Sequence, residues 1–229
     1  MITRRESLGL IVLATSSILI KTLVGPGVLF AKEKPEMKTI GILIYPNVEE
    51  MDFVGPFEVL SYVNKIQPGS TKVLLIAENS GPITASNGMT VIPHATLKDC
   101  PPLNVFVAPG GGGRVAAMKN PVLIDFIKKQ AKTSQYVTSV CSGAFLLAEA
   151  GLLKGKKATT YYAFLTELKT YSVEVLTNKV VHDGQIITAA GVTSGLQFGF
   201  YMLNLLFGSE LSQEVARRIE FDIDVNTLG

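Results

Sequence analysis

The sequence predicts an α/β domain built on a mostly parallel sheet with helices on both faces. Three observations predict it. Short apolar runs alternate with runs of helical spacing along most of the chain. Several of those apolar runs are nearly continuous, as strands buried on both faces are. Glycine- and cysteine-bearing motifs fall at their ends, where sheets of this kind place ligands. The 229 residues suffice for one large domain.

Lys38 to Tyr45 (KTIGILIY) is an apolar run ending at Pro46-Asn47 turn residues, as suits a central strand. MDFVGPFEVLSYV follows with helical spacing, and Gly55-Pro56 places the helix start there, with Pro56 in its first turn. TKVLLIAE is the next strand. Asn87-Gly88, between alternating segments in GPITASNGMTVIPHATL, predicts a hairpin. NVFVAPGGGG is a third buried strand running into glycines. NPVLIDFIKKQAK is an amphipathic helix, YVTSVC a fourth strand, and GAFLLAEAGLL a helix closing near Gly155. VEVLTNKVVHDGQIITAAG reads as a strand and then a hairpin turning at Asp183-Gly184. The helices GVTSGLQFGFYMLNLLFG and SELSQEVARRIEF complete the pattern.

The first 31 residues have a different character. Arg4 and Arg5 precede an uncharged run from Ser7 to Ile20, a pattern resembling a secretory signal of the twin-arginine type. That run of 14 residues falls short of the ~20 needed to cross a bilayer. Extending it to Ala31 takes in Lys21 and the helix-breaking Gly25-Pro26, so an uncleaved membrane anchor is the alternative. The expected organisation is a leader over 1–31, a linker over 32–37 and a domain over 38–229, exported to the periplasm. Without the leader, 18 basic and 18 acidic residues remain, and that balance gives no sign of a nucleic-acid or polyphosphate partner.

Cys100 precedes a strand and Cys141 ends another, so parallel neighbours would hold them at opposite ends of the sheet, as free thiols. Cys141 sits where a strand gives way to a helix, a joint that projects a side chain into the crevice. A helix N-terminus beneath the sulfur favours thiolate; a buried, inert cysteine is the alternative. In APGGGGR the glycines let backbone N–H groups approach closely, and the Gly111 or Gly112 N–H would face charge developing on an attacked substrate. No Lys-Ser/Thr follows and no G-x-G-x-x-G is present, which excludes the standard phosphate loops. VEEMDFVGPFEVL supplies carboxylates. Glu49 and Glu50 read as solvated, whereas Asp52, between Met51 and Phe53, is the candidate buried acid, able to hold a proton beside a thiolate. His94 and His182 are the only histidines, and both belong to or follow hairpins. A Cys-His hydrolase therefore lacks its base, and no metal-ligand cluster appears.

The run from Lys38 to about Phe221 resembles the ThiJ/PfpI superfamily. MDFVGPFEVL, VAPGGGG, SVCSGAFLLAEAGLLKGKKATT and ITAAGVTSGLQFGFYML resemble its isonitrile hydratase branch. The resemblance implies a flavodoxin-like three-layer sandwich with a nucleophile-elbow cysteine, no cofactor, a small-molecule substrate and a homodimer. By it Cys141 would be the nucleophile and Asp52 the acid/base at the family's D-x-x-G-P position. Ser142 stands where hydratases usually carry Thr, its hydroxyl still able to serve and its backbone among the oxyanion donors. Val54, Phe57, Tyr161 and Tyr162 would line the pocket, although core packing explains apolar residues equally well. After GKKATT the family usually continues His-Trp, where this chain has Tyr161-Tyr162. Amide-hydrolysing relatives carry a histidine directly after the cysteine or later in the chain; here Ser142 follows, which argues against a protease or amidotransferase. The implied reaction is hydration of an isonitrile to an N-substituted formamide through a thioimidate. A non-catalytic binding module and a cysteine-oxidation stress protein are the alternatives.

Overall fold

The computed structural model describes residues 36–228. The predicted leader, 1–31, and most of the predicted linker lie outside the described residues. The strands are β1 (Lys38–Leu43), β2 (Thr71–Ala77), β3 (Ile83–Thr84), β4 (Thr90–Val91), β5 (Ala95–Thr96), β6 (Val105–Ala108), β7 (Tyr136–Val140), β8 (Lys157–Ala158), β9 (Glu174–Val175), β10 (Val180–Asp183) and β11 (Ile186–Ala189). The helices are α1 (Glu50–Tyr62), α2 (Arg114–Met118), α3 (Pro121–Thr133), α4 (Ala144–Glu149), α5 (Leu165–Lys169), α6 (Ser194–Phe207) and α7 (Ser209–Arg218).

Seven strands form the main sheet in the order β10-β11-β7-β6-β1-β2-β5, and only the β10–β11 pair is antiparallel. From β1 the chain crosses to β2 in one direction; from β6 it crosses to β7 in the other. Right-handed crossovers therefore put α1 on one face and α2–α3 on the opposite face. α6 packs on α1, while α4 packs on α2 and α3. Helix, sheet and helix make the three layers. Ile40, Ile42, Val105, Phe106, Val107 and Val137 are fully buried, as central strands covered on both faces require. The reversal of direction lies between β1 and β6. In sheets of this kind the diverging C-terminal loops open a ligand crevice at such a reversal.

Several boundaries differ from the sequence expectation. α1 starts at Glu50, six residues before Pro56, which lies inside the helix. Gly55 faces Gly195 where α1 crosses α6, so the Gly-Pro pair serves helix packing instead of helix initiation. α4 ends at Glu149, closed by Gly151 at φ +78°, before the expected stop near Gly155. The Asn87-Gly88 hairpin is present as β3–β4, but the following Ala95–Thr96 pairs parallel with β2 at the sheet edge. Among the described residues, no helix is long and apolar enough to cross a membrane.

Candidate active site

Cys141 ends β7 and enters a 3-10 turn, Cys141–Gly143, that leads into α4. Its own N–H still donates to Ala190 O at 2.9 Å, so the backbone is tied to the sheet up to the turn. The cysteine holds φ +57°, a left-handed conformation that costs a non-glycine residue roughly 1–3 kcal/mol. The turn passes so close to β6 that a Cβ at Gly143 would collide with the Ala108 carbonyl. Gly143→Ala is thus expected to destabilise the fold by about 3 kcal/mol or more, because the obstacle is backbone. A urea melt of the variant checks this; an unchanged midpoint would contradict the close approach.

The acid comes from α1. Asp52 is fully buried, and its Oδ2 accepts from the Gly110 N–H at 3.0 Å. The Cys141 thiol is its side-chain neighbour and interacts with the carboxyl, yet Oδ1 has no hydrogen-bond partner. Burial pushes the Asp52 carboxyl up to about 7, against the pull of the Gly110 N–H and the thiol. The sulfur is also desolvated: Cys141 is 6% exposed. Burial first, then the Asp52 charge, raises its thiol to about 12, although the Val192 and Ser142 N–H groups donate toward it. The expected resting thiolate is therefore corrected to a thiol. A 3-10 turn and a six-residue helix supply a weaker dipole than the sequence reading assumed, and the neighbouring carboxylate opposes it.

The glycines of the β6–α2 loop are used differently from expectation. The Gly111 N–H does not point into an open crevice; it donates to Ser142 Oγ at 3.1 Å. Gly111, at φ +127°, has the backbone of Asn47–Glu49 where a side chain would stand. Its role is to let two loops of this chain touch. Gly112 is exposed, and nothing lies within 4 Å of where a Cβ would stand. Ser142 itself is buried and locks the elbow to the glycine loop.

The remaining sequence candidates separate into two groups. Tyr161 lies against Gly191 and close enough to Cys141 for their charges to interact, and Tyr162 beside it is 74% exposed. Val54 and Phe57 stand elsewhere. Helical geometry turns them about 200° and 140° away from Asp52. Phe57 stacks on His94 at 5.9 Å, and that imidazole accepts from the Leu75 N–H, toward the β2–β5 edge. Glu50 is not solvated: its oxygens accept from the Asn87 N–H at 2.6 Å and Nδ2 at 2.7 Å, pinning the β3–β4 hairpin. His182 bonds Tyr201 and Gly184 on β10. Cys100 and Cys141 are both free thiols.

Sequence reasoning missed three parts of the site. Tyr45, at the end of the first strand, is buried and donates its hydroxyl to Pro109 O at 2.8 Å, bracing the glycine loop. Thr160 donates Oγ1–H to the Cys141 carbonyl at 2.9 Å. Val192, whose N–H works to lower the Cys141 thiol value, holds φ +33° in the loop before α6. A fourth strand-end motif, AAGVTSG, was the available signal. Among the described residues, no group of three or more His, Cys, Asp or Glu side chains is placed to hold a metal ion.

The crevice can thus present a thiol to a small electrophile, with a carboxyl beside it able to take and return a proton. Comparison with known proteins gives this geometry its context. The sequence profile of the DJ-1/PfpI family matches residues 38–205. A Pseudomonas putida protein described as isonitrile hydratase is 37% identical over 182 residues, 80% of this chain and 78% of that protein. A crystal structure of a ThiJ/PfpI family protein from Pseudomonas syringae superposes with a TM-score of 0.76 at 31% identity, covering 90% of this chain and 85% of that one. Drosophila melanogaster DJ-1beta superposes with a TM-score of 0.73 at 25% identity, over 82% of this chain and all of that one.

Proposed function

Because this chain belongs to the DJ-1/PfpI family, we propose that its elbow cysteine and buried aspartate hydrate an isonitrile to an N-substituted formamide. The observation that carries the reading is the Cys141–Asp52 pair at the switch-point crevice, with Oδ1 left without a partner. The similarity to the Pseudomonas putida isonitrile hydratase supplies the substrate class.

The chemistry follows from a thiol at rest. As the sulfur attacks the terminal isonitrile carbon, its proton passes to the Asp52 carboxylate and then to that carbon. This gives a thioimidate, R–N=CH–S–Cys141. Water then adds to the same carbon, its proton travelling through Asp52 to nitrogen. The C–S bond breaks as the new hydroxyl loses its proton by way of Asp52 to the departing sulfur. The sum is isonitrile plus water to formamide, with no change of oxidation state in the protein. On this reading Tyr161, near Cys141, and Tyr162 beside it would border the substrate's substituent.

The test is incubation of the purified protein with an alkyl or aryl isonitrile. Formamide is expected by chromatography, and intact-mass spectrometry is expected to show Cys141 heavier by one substrate. Neither product nor adduct would overturn the reading. Oxygen addition at Cys141 under mild peroxide, without isonitrile turnover, would point to thiol oxidation instead. The reading includes a homodimer and export of the chain. Sedimentation at twice the monomer mass and recovery of a shortened chain from the periplasm check those two points.

A further inference from the structure

Outside the Cys141–Asp52 pair, one cationic side chain is buried among the described residues. Arg114, the first residue of α2, directly follows the glycine loop, and its side chain is only 11% exposed. Its guanidinium lies over two aromatic faces, Phe145 at 4.3 Å and Phe164 at 4.2 Å. Nη1 and Nη2 donate in parallel to Glu167 Oε1 and Oε2 at 3.0 and 2.9 Å. Glu167 belongs to α5, and its side chain is 43% exposed.

This pair is anchored at one end of a continuous chain of contacts that ends at the Cys141 backbone. Phe164 closes the 3-10 turn Tyr162–Phe164, and its ring is 5.7 Å from that of Tyr161. The Tyr161 ring occupies the space where a side chain on Gly191 would stand. The next residue, Val192, holds a strained φ of +33°, and the Ala190 carbonyl just before Gly191 accepts from the Cys141 N–H at 2.9 Å. Backbone strain of that kind persists only where the surroundings impose it. Tyr161 is one of those surroundings, and Thr160 beside it bonds the Cys141 carbonyl.

We propose that Arg114 and Glu167 are positioning residues. Their bidentate bond holds the aromatic segment Tyr161–Phe164 beside Cys141 and, through Tyr161 on Gly191, fixes the Ala190–Val192 loop to which the Cys141 backbone is bonded. A merely stabilising role would be met more cheaply. Desolvating a guanidinium between two rings is costly, and an apolar side chain of that volume would pack there at no such cost. The charge gives a directional, releasable hold on a segment that otherwise touches the site through side-chain faces and one threonine hydroxyl. Neither residue contacts the reacting atoms, and the inference stands whatever electrophile the cysteine takes.

The test reads the cysteine directly. The purified full chain is treated with a small thiol reagent, methyl methanethiosulfonate, and a bulky one, N-phenylmaleimide. Modification of Cys141 is followed by peptide mass mapping, with Cys100 as the internal reference. Glu167→Gln is expected to raise the bulky-to-small rate ratio at Cys141 about fivefold, the size set by losing a partly exposed ion pair. Sodium chloride at about 1 M, which shortens screening to roughly 3 Å, is expected to reproduce part of that rise in the wild type and add nothing in Glu167→Gln. Thermal melts of the variant confirm that it is folded. A ratio in Glu167→Gln equal to or below the wild-type value, or a wild-type ratio indifferent to salt, would overturn the proposal.

Discussion

Cys141→Ala is expected to abolish formamide production, lowering kcat by at least about 10⁴-fold, because the nearby Ser142 hydroxyl is a far weaker nucleophile than a thiol and is held by the Gly111 N–H. The covalent adduct disappears with the sulfur, and the carboxylate is left to orient water against an unactivated isonitrile. Cys141→Ser keeps the volume and fails nearly as completely, since an alkoxide is harder to reach than a thiolate at the same position. Stability separates the two roles of this residue. Alanine at φ +57° carries the same backbone strain as cysteine, so its melting temperature is expected to stay within a few degrees of the wild type. Glycine has no such penalty: Cys141→Gly is expected to be about 1 kcal/mol more stable than Cys141→Ala while equally inactive. Product chromatography and thermal melts on the three variants check this. Full turnover by Cys141→Ala would remove the cysteine from the chemistry altogether.

How far the sequence foretold this arrangement depends on what kind of interaction made each part. The four central strands were legible because burial on both faces writes a continuous apolar run into the chain. β5 and β8 were not, since two-residue strands carry no period and exist only because a neighbour offers hydrogen bonds. The short helix α5, with the turn before it, left no signal either. Its position depends on Arg114, 53 residues earlier, and that partnership has no local trace. The elbow was legible because a strand pattern stops and a helix pattern begins at Cys141. Its protonation state was not: the helix start could be seen, but the burial and the carboxylate that outweigh it could not. At Gly111 and Gly143 the need for glycine was legible and its reason was not. The backbone approaching them is that of the chain's own loops, which only the folded molecule brings together.

Asp52→Asn is expected to cut kcat/KM about 10³-fold, the usual worth of a positioned general base, and to change the pH dependence of both activity and stability. In the wild type the carboxyl must be ionised to take the thiol proton. With its folded value near 7, kcat/KM is expected to rise about tenfold per pH unit below neutrality and to level above it. Asparagine cannot accept a proton, so the residual rate is expected to lose that rise. The same group sets a cost on the fold. Its folded value lies above the ordinary 3.8, so the folded state holds the proton more tightly than the unfolded chain does. The stabilisation this provides is complete below pH 3.8 and is lost as pH rises through about 7. Over that window the gap corresponds to about 4 kcal/mol as an upper bound. Asp52→Asn removes the titration, so its stability relative to the wild type is expected to improve from pH 4 to about pH 7 and then level off. Urea melts across that range, with rate profiles beside them, test both effects on one variant. A relative stability that does not change with pH would mean the carboxyl is not held neutral by burial, and the general-base role would lose its physical cause. The two effects have one origin: the desolvation that makes Asp52 an effective base at neutral pH is the same desolvation that weakens the fold when the group ionises.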